Sequence, residues 1–233
     1  MADLMARLEV IKLARELDTS EEELAFLTAS TPEELRELRT VISEAMRARH
    51  ADLVGRLAGL SRLLPVPLTA TIAQGALGPV LSARVAGVLE PRDAARLAAH
   101  VDSDFLVQMA THVDPARVAP LVAAMPPAQA TDVGRRLLAA GEHVTLARFL
   151  AVVDTDLAMT VVDDATAADL LWVALLADDR SALVPVLERL DDAMLSSMLA
   201  VAEEAAAYDA AVSLLSTLLP ERHARIQGHS ETD

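Results

Sequence analysis

Apolar side chains recur four, seven, eight and eleven places after corner positions that lie twelve residues apart. The corners are Glu90, Asp102, Asp114 and Pro126, followed one place later by Pro91, Ser103, Pro115 and Pro127. The apolar sets are Ala94/Leu97/Ala98/Val101, Leu106/Met109/Ala110/Val113, Val118/Leu121/Val122/Met125 and Ala130/Val133/Gly134/Leu137. Positions i, i+3, i+4 and i+7 form one stripe on a helix. An Asp just before the first turn accepts its free N–H groups, and a proline at the first helical position loses no hydrogen bond. Each twelve-residue unit therefore predicts one short helix and a tight corner.

The same template extends in both directions. Gly78 fits as an earlier, weaker corner, and Glu142, Asp154, Thr166, Asp179, Asp191 and Ala207 fit as later ones. Two spacings, Pro126 to Glu142 and Asp191 to Ala207, are sixteen residues, which adds about one helical turn. Upstream, Leu4, Leu8, Ile11, Ala14 and Leu17 predict a helix over residues 2–17. Thr19-Ser20 opens a short helix reaching Leu27, and Thr31-Pro32-Glu33-Glu34 opens another through a capping box. A stripe from Leu35 through Leu38, Ile42, Met46, Leu53, Leu57 and Leu60 to Leu64 predicts either one long helix or two broken near His50. Pro65-Val66-Pro67 ends it, because each proline removes a donor and disfavours helix in the residue before it. Residues 67–89 predict two short apolar helices separated by Gly75 to Pro79, and the polar segment after Pro220 predicts a frayed tail.

The expected fold is all-α: a right-handed-type superhelical stack, or α-solenoid, of short units of about twelve residues, with longer N-terminal helices. A short helix is unstable alone and buries its stripe only against neighbours. The expected organisation is an N-terminal cap or dimerisation region over residues 1–64, a helical-repeat domain over 65–220 and a flexible tail over 221–233.

Composition narrows the function. The 233 residues are 53% hydrophobic and 2% aromatic, enough for a sizeable core of small and aliphatic side chains. Nineteen arginines stand against one lysine, Lys12, a bias read as the mark of a GC-rich bacterial genome. Without cysteine there is no disulfide framework, thiolate metal site or thiol nucleophile. No run of eighteen or more consecutive apolar residues marks a transmembrane segment, and the charged N-terminus lacks a signal-peptide core. A cytoplasmic location is expected. The net charge of −15 falls unevenly: residues 63–150 carry 7 basic and 7 acidic groups, residues 151–233 carry 4 and 16. The acidic C-terminal third would repel nucleic acid, so no nucleic-acid partner is expected.

The strings Val113-Asp114-Pro115-Ala116-Arg117-Val118 and Met125-Pro126-Pro127-Ala128-Gln129-Ala130 resemble the cytoplasmic N-terminal domain of MgtE-type magnesium transporters. The helical stack of the flagellar switch protein FliG is similar. The resemblance covers about residues 78–205 and implies a helical stack of the kind expected above. Transporters of that family add a regulatory module and a transmembrane pore. This chain shows neither, so transport by the chain itself is not expected. In that family the acidic surface of the domain helps to sense magnesium, a role the resemblance raises for the acidic third.

Three doublets, Asp163-Asp164, Asp178-Asp179 and Asp191-Asp192, are the candidate metal ligands, since Mg²⁺ takes carboxylate oxygens with water completing its shell. The competing reading makes each doublet a helix cap, where Asp is favoured anyway. His100 and His112 share one place in successive units but lack a third ligand at suitable spacing. Arg135-Arg136, with Arg92, Arg96, Arg117 and Arg148, read as solvated faces or as groups for an acidic partner. Phe105, Phe149, Trp172 and Tyr208 read as core aromatics. There is no phosphate loop, HExxH or nucleophile elbow, and Gly55 and Gly59 lie in a charged helix. The expected function is a non-enzymatic protein-interaction scaffold or adaptor, with no cofactor, whose partner is another protein or a second copy of the chain. The alternative is a Mg²⁺-responsive regulator using the acidic corners.

Overall fold

A computed structural model describes residues 2–61 and 63–230 of the chain. Those residues form helices and connecting turns, with no strand among them. In chain order the helices are α1 Ala2–Leu17, a 3₁₀ turn Ala25–Ala29, α2 Pro32–Ser61, α3 Val66–Ile72, a π turn Ala73–Leu77 and α4 Gly78–Ala86. The short series follows: α5 Pro91–Ala98, α6 Ser103–Ala110, α7 Pro115–Ala124, α8 Pro127–Ala139, α9 His143–Leu150, α10 Thr155–Val162 and α11 Ala167–Leu176. A 3₁₀ turn Arg180–Leu183 leads to α12 Val184–Arg189, α13 Asp192–Glu204, α14 Tyr208–Leu218 and α15 Pro220–Ser230.

The corner residues do what their chemistry dictates. Glu90, Asp102, Asp114, Pro126, Glu142, Thr166, Asp191 and Ala207 each stand at the N-cap of the next α-helix. Asp102 accepts from the Phe105 N–H at 2.8 Å, and Asp191 accepts from that of Met194 at 2.7 Å. Thr166 and Asp169 form a reciprocal capping box, which satisfies two otherwise orphaned donors.

Three N-terminal and central readings are settled. The stripe starting at Leu35 is one helix, α2, unbroken at His50. The residues after Thr19-Ser20 form turns and a 3₁₀ segment instead of an α-helix. The two short helices expected over 67–89 are α3 and α4; a π turn, Ala73–Leu77, joins them, and Gly78, at φ 72°, departs from helical geometry where α4 begins.

The helices fall into two compact units, residues Val41–Val161 and residues Met1–Thr40 with Val162–Asp233. From α3 to α8 each short helix of the central unit packs on its next-but-one neighbour, α3 on α5 and α5 on α7, α4 on α6 and α6 on α8, whereas α9 lies on α8 itself. Ala83 of α4 packs with Val113 and Val118, joined by Met109, Leu121, Val122 and Phe149. Gly134 of α8 lets α10 approach closely: a Cβ there would lie 2.6 Å from Val161 Cγ2. In the other unit α11 lies against α13, α14 and α1, and α15 lies on α13 and α14. Its most deeply buried side chains include Val10, Leu13, Leu35, Leu171, Leu195 and Met198.

Candidate functional site

Two features depart from a plain helical core, one in each unit. The first is a buried charge cluster on α1. Glu9 and Lys12 are 3% and 5% exposed, although ionised side chains leave water only at high cost unless paired. Helical spacing of three places both on one side of α1, and Lys12 Nζ donates to Glu9 Oε1 at 2.8 Å. The same ammonium donates to Asp178 Oδ1 at 2.7 Å. Arg39 of α2 completes the cluster, reaching Asp178 at 2.9 Å and Glu9 at 3.4 Å, while Arg36 reaches Glu9 at 3.1 Å. Burial pushes the Asp178 carboxyl upward, but Lys12 and Arg39 outweigh it and hold the group below the usual carboxylate range. The cluster's charges face one another, a bracing arrangement that joins α1, α2 and the corner after α11.

The second feature is an exposed apolar surface in the central unit. From Leu60 every fourth residue is apolar and stands open: Leu60, Leu64, Leu68, Ile72, Ala76 and Val80. Leu63 beside them is 79% exposed. The continuous helical run Val66–Ala86 is 21 residues long and, by length and composition, apolar enough to cross a membrane, yet only 17% of its apolar window is buried. Leu60 lies on α2, Leu64 in the turn after it, Leu68 and Ile72 on α3, and Val80 on α4.

Four of the six candidate metal ligands bond elsewhere in the fold. Asp178 belongs to the charge cluster. Asp179 caps the 3₁₀ turn through the Ser181 N–H at 2.9 Å, and the Ser181 hydroxyl, donating at 2.6 Å, together with that N–H holds its pKa down. Asp191 caps α13, and Asp192 receives the guanidinium of Arg222 and lies 3.8 Å from that of Arg225. Asp163 and Asp164 lie exposed after α10. Among the described residues no three His, Asp or Glu side chains gather as a metal site would require. His100 is exposed just after α5, with its Nδ1 2.9 Å from the Arg96 carbonyl oxygen. His112 is exposed as well. Phe105 is buried and Phe149 packs beside the Ala83 cluster, but Tyr208 is 41% exposed, so the core reading does not hold for it.

Periodicity missed the charge cluster because it assigns charged residues to the outer face. One signal was present: the sole lysine of the chain stands three residues from Glu9 amid apolar neighbours. No family model matches the chain, and no curated protein or solved structure matches it.

Proposed function

We propose that the chain is a non-enzymatic helical-repeat scaffold, an α-solenoid over its short helices, that binds a protein partner along them. The observation that carries this reading is the next-but-one packing of α3 to α8. Two interleaved rows of short helices, α3/α5/α7 and α4/α6/α8, bury their apolar stripes within and between the rows, and stacked repeats bind partners along extended surfaces. Arg92, Gln108 and Ala128 are exposed along α5, α6 and α8. The similarity of residues 113–118 and 125–130 to MgtE-type domains is part of the proposal and rests on the corner motif alone. The magnesium reading gains nothing comparable, since Asp178, Asp179, Asp191 and Asp192 already cap helices or meet cations.

The test is site-specific photo-crosslinking in native cells, with the reactive residue at position 92, 108 or 128 and a control at exposed Glu203 of α13. A single discrete adduct from the three positions and none from the control is expected. No adduct at any of them, or equal labelling at the control, would count against a scaffold acting through these helices.

A further inference from the structure

The outward stripe of α2 in the central unit is Arg49, Leu53, Arg56 and Leu60, all four exposed, at the spacing that shares one side of a helix. On the other side Val54 and Ala58 pack with Val85 of α4. The open row continues through Leu63 and Leu64 in the turn to Leu68 and Ile72 of α3. Ala70, between those two on the opposite side of α3, is buried with Val101 and Phe105. No step along this row exceeds four residues, so its side chains follow one another as neighbours. Its two ends differ in charge. Arg49 and Arg56 stand at one end, while Asp52 is turned about a hundred degrees from Leu53 to another side of α2. At the other end, just past Ile72, Gln74 donates to the Asp102 carboxylate, which also accepts from the Phe105 N–H. Both donors are neutral, so Asp102 brings its negative charge to that end. We propose that this row is the contact between two copies of the chain. They pair end for end about a two-fold axis beside Leu64, so that Arg56 of each copy meets the partner's Asp102.

The mixed ends select the occupant. A two-fold contact must be complementary to itself, and a row with a cation at one end and an anion at the other is complementary to itself when reversed. An anionic lipid surface would be opposed by Asp102, and a partner of one charge sign would be opposed at one end or the other. The composition also matches the anatomy of an interface, with Leu53, Leu60, Leu63, Leu64, Leu68 and Ile72 as the apolar centre and charged groups at the rim. Leu63 is 79% exposed, and Leu53, Leu60 and Leu68 are 49%, 56% and 48% exposed. A standard interface buries about 800 Å² on each partner, and six large aliphatic side chains per copy furnish the centre of one. Two copies of net charge −15 repel each other in general, but no carboxylate falls in the chain between Asp52 and Glu90, so the row itself adds little to that repulsion. The contact lies wholly in the central unit. It goes beyond the scaffold reading, and neither depends on the other.

The test is sedimentation velocity of the full chain over a range of micromolar concentrations, with a concentration-dependent dimer expected. Leu68→Ser with Ile72→Ser, both at exposed positions, should leave only monomer with the circular dichroism spectrum unchanged. Arg56→Glu, a surface change, sets an acid against the partner's Asp102 and should raise the dissociation constant about tenfold or more. Disulfides read the pairing geometry, because the chain has no cysteine of its own. Arg56→Cys and Gln74→Cys chains, when mixed, should cross-link to each other, and neither should cross-link to itself. Monomer at every concentration would overturn the proposal, and flotation of that monomer with phosphatidylcholine vesicles would give the face to lipid. A dimer that survives the serine pair, or self-linked Arg56→Cys chains, would overturn it as well.

Discussion

Lys12 illustrates how a single charged residue can be structural when every partner is fixed. Its ammonium sits between Glu9 and Asp178 while Arg39 bridges the same two carboxylates. Removing one member of a buried ion network leaves the others desolvated and underpaired, which typically costs 3–5 kcal/mol. Lys12→Ala is therefore expected to lower stability by about 3 kcal/mol, measured as a fall in the urea midpoint at pH 7. Asp178 adds a pH signature. Its folded-state pKa lies below the ordinary value, so its contribution is fully present above the ordinary carboxylate range and is lost as pH falls through the lowered value. Asp178→Asn should be less stable than the parent at pH 7, and the gap should close as the pH falls below about 4. A gap that stayed constant with pH would remove Asp178 from the ionic cluster. Sequence showed the sole lysine beside Glu9, but not the partner 166 residues away. A periodicity reading places charges outward because isolated charges belong there, and this cluster is inside because its charges meet across the fold.

Helices and their corners were legible because capping is local chemistry: donor, acceptor and turn lie within four residues. Asp102 accepts from Phe105 and also receives the Gln74 side chain. Asp102→Ala should accordingly cost about 1 kcal/mol or somewhat more, read from thermal unfolding. Gly134 makes a sharper case, since its twelve-residue register places it among apolar positions with nothing to mark it as a contact. In the fold, α8 and α10 meet there, and Thr131 and Thr160 are 3.2 Å apart alongside. A β-branched valine cannot swing away as a long side chain would. Gly134→Ala is expected to destabilise by about 1–3 kcal/mol despite its better helix propensity, and a gain in midpoint would contradict the close approach. The run over 66–86 was legible as two short helices, α3 and α4, but not as helices joined by a π turn, which no single residue type marks. The segment after Pro220 reads as polar, but His223 and Ile226 are buried on one side of α15, and Arg222 donates to the Leu187 carbonyl at 3.0 Å. Three spaced contacts in a polar segment leave little pattern to read.

At the scale of the molecule, sequence showed that short helices follow one another at a fixed interval and not that the chain divides into two units. The division enters α2 between Thr40 and Val41, inside an unbroken helix where no proline, glycine or change of composition marks it. Of the acidic doublets, Asp178, Asp179, Asp191 and Asp192 are taken up by caps and ion pairs, while Asp163 and Asp164 lie exposed after α10. Melting in MgCl₂ and in NaCl of equal ionic strength should therefore give the same midpoint, and a rise specific to Mg²⁺ that Asp178→Asn with Asp179→Asn abolishes would restore the sensor reading. The proposed scaffold requires that pairs of short helices in the α3 to α8 series act as interchangeable units. Deleting residues 102–125 removes α6 and α7 together and brings the Pro126-Pro127 corner directly after Val101, so that α8 follows α5 as α6 does in the intact chain. The most direct measurement is thermal unfolding of this deletion by circular dichroism. Interchangeable pairs predict one cooperative transition, at a lower temperature, with helicity per residue unchanged. A non-cooperative melt, with helicity lost well beyond the deleted segment, would contradict it.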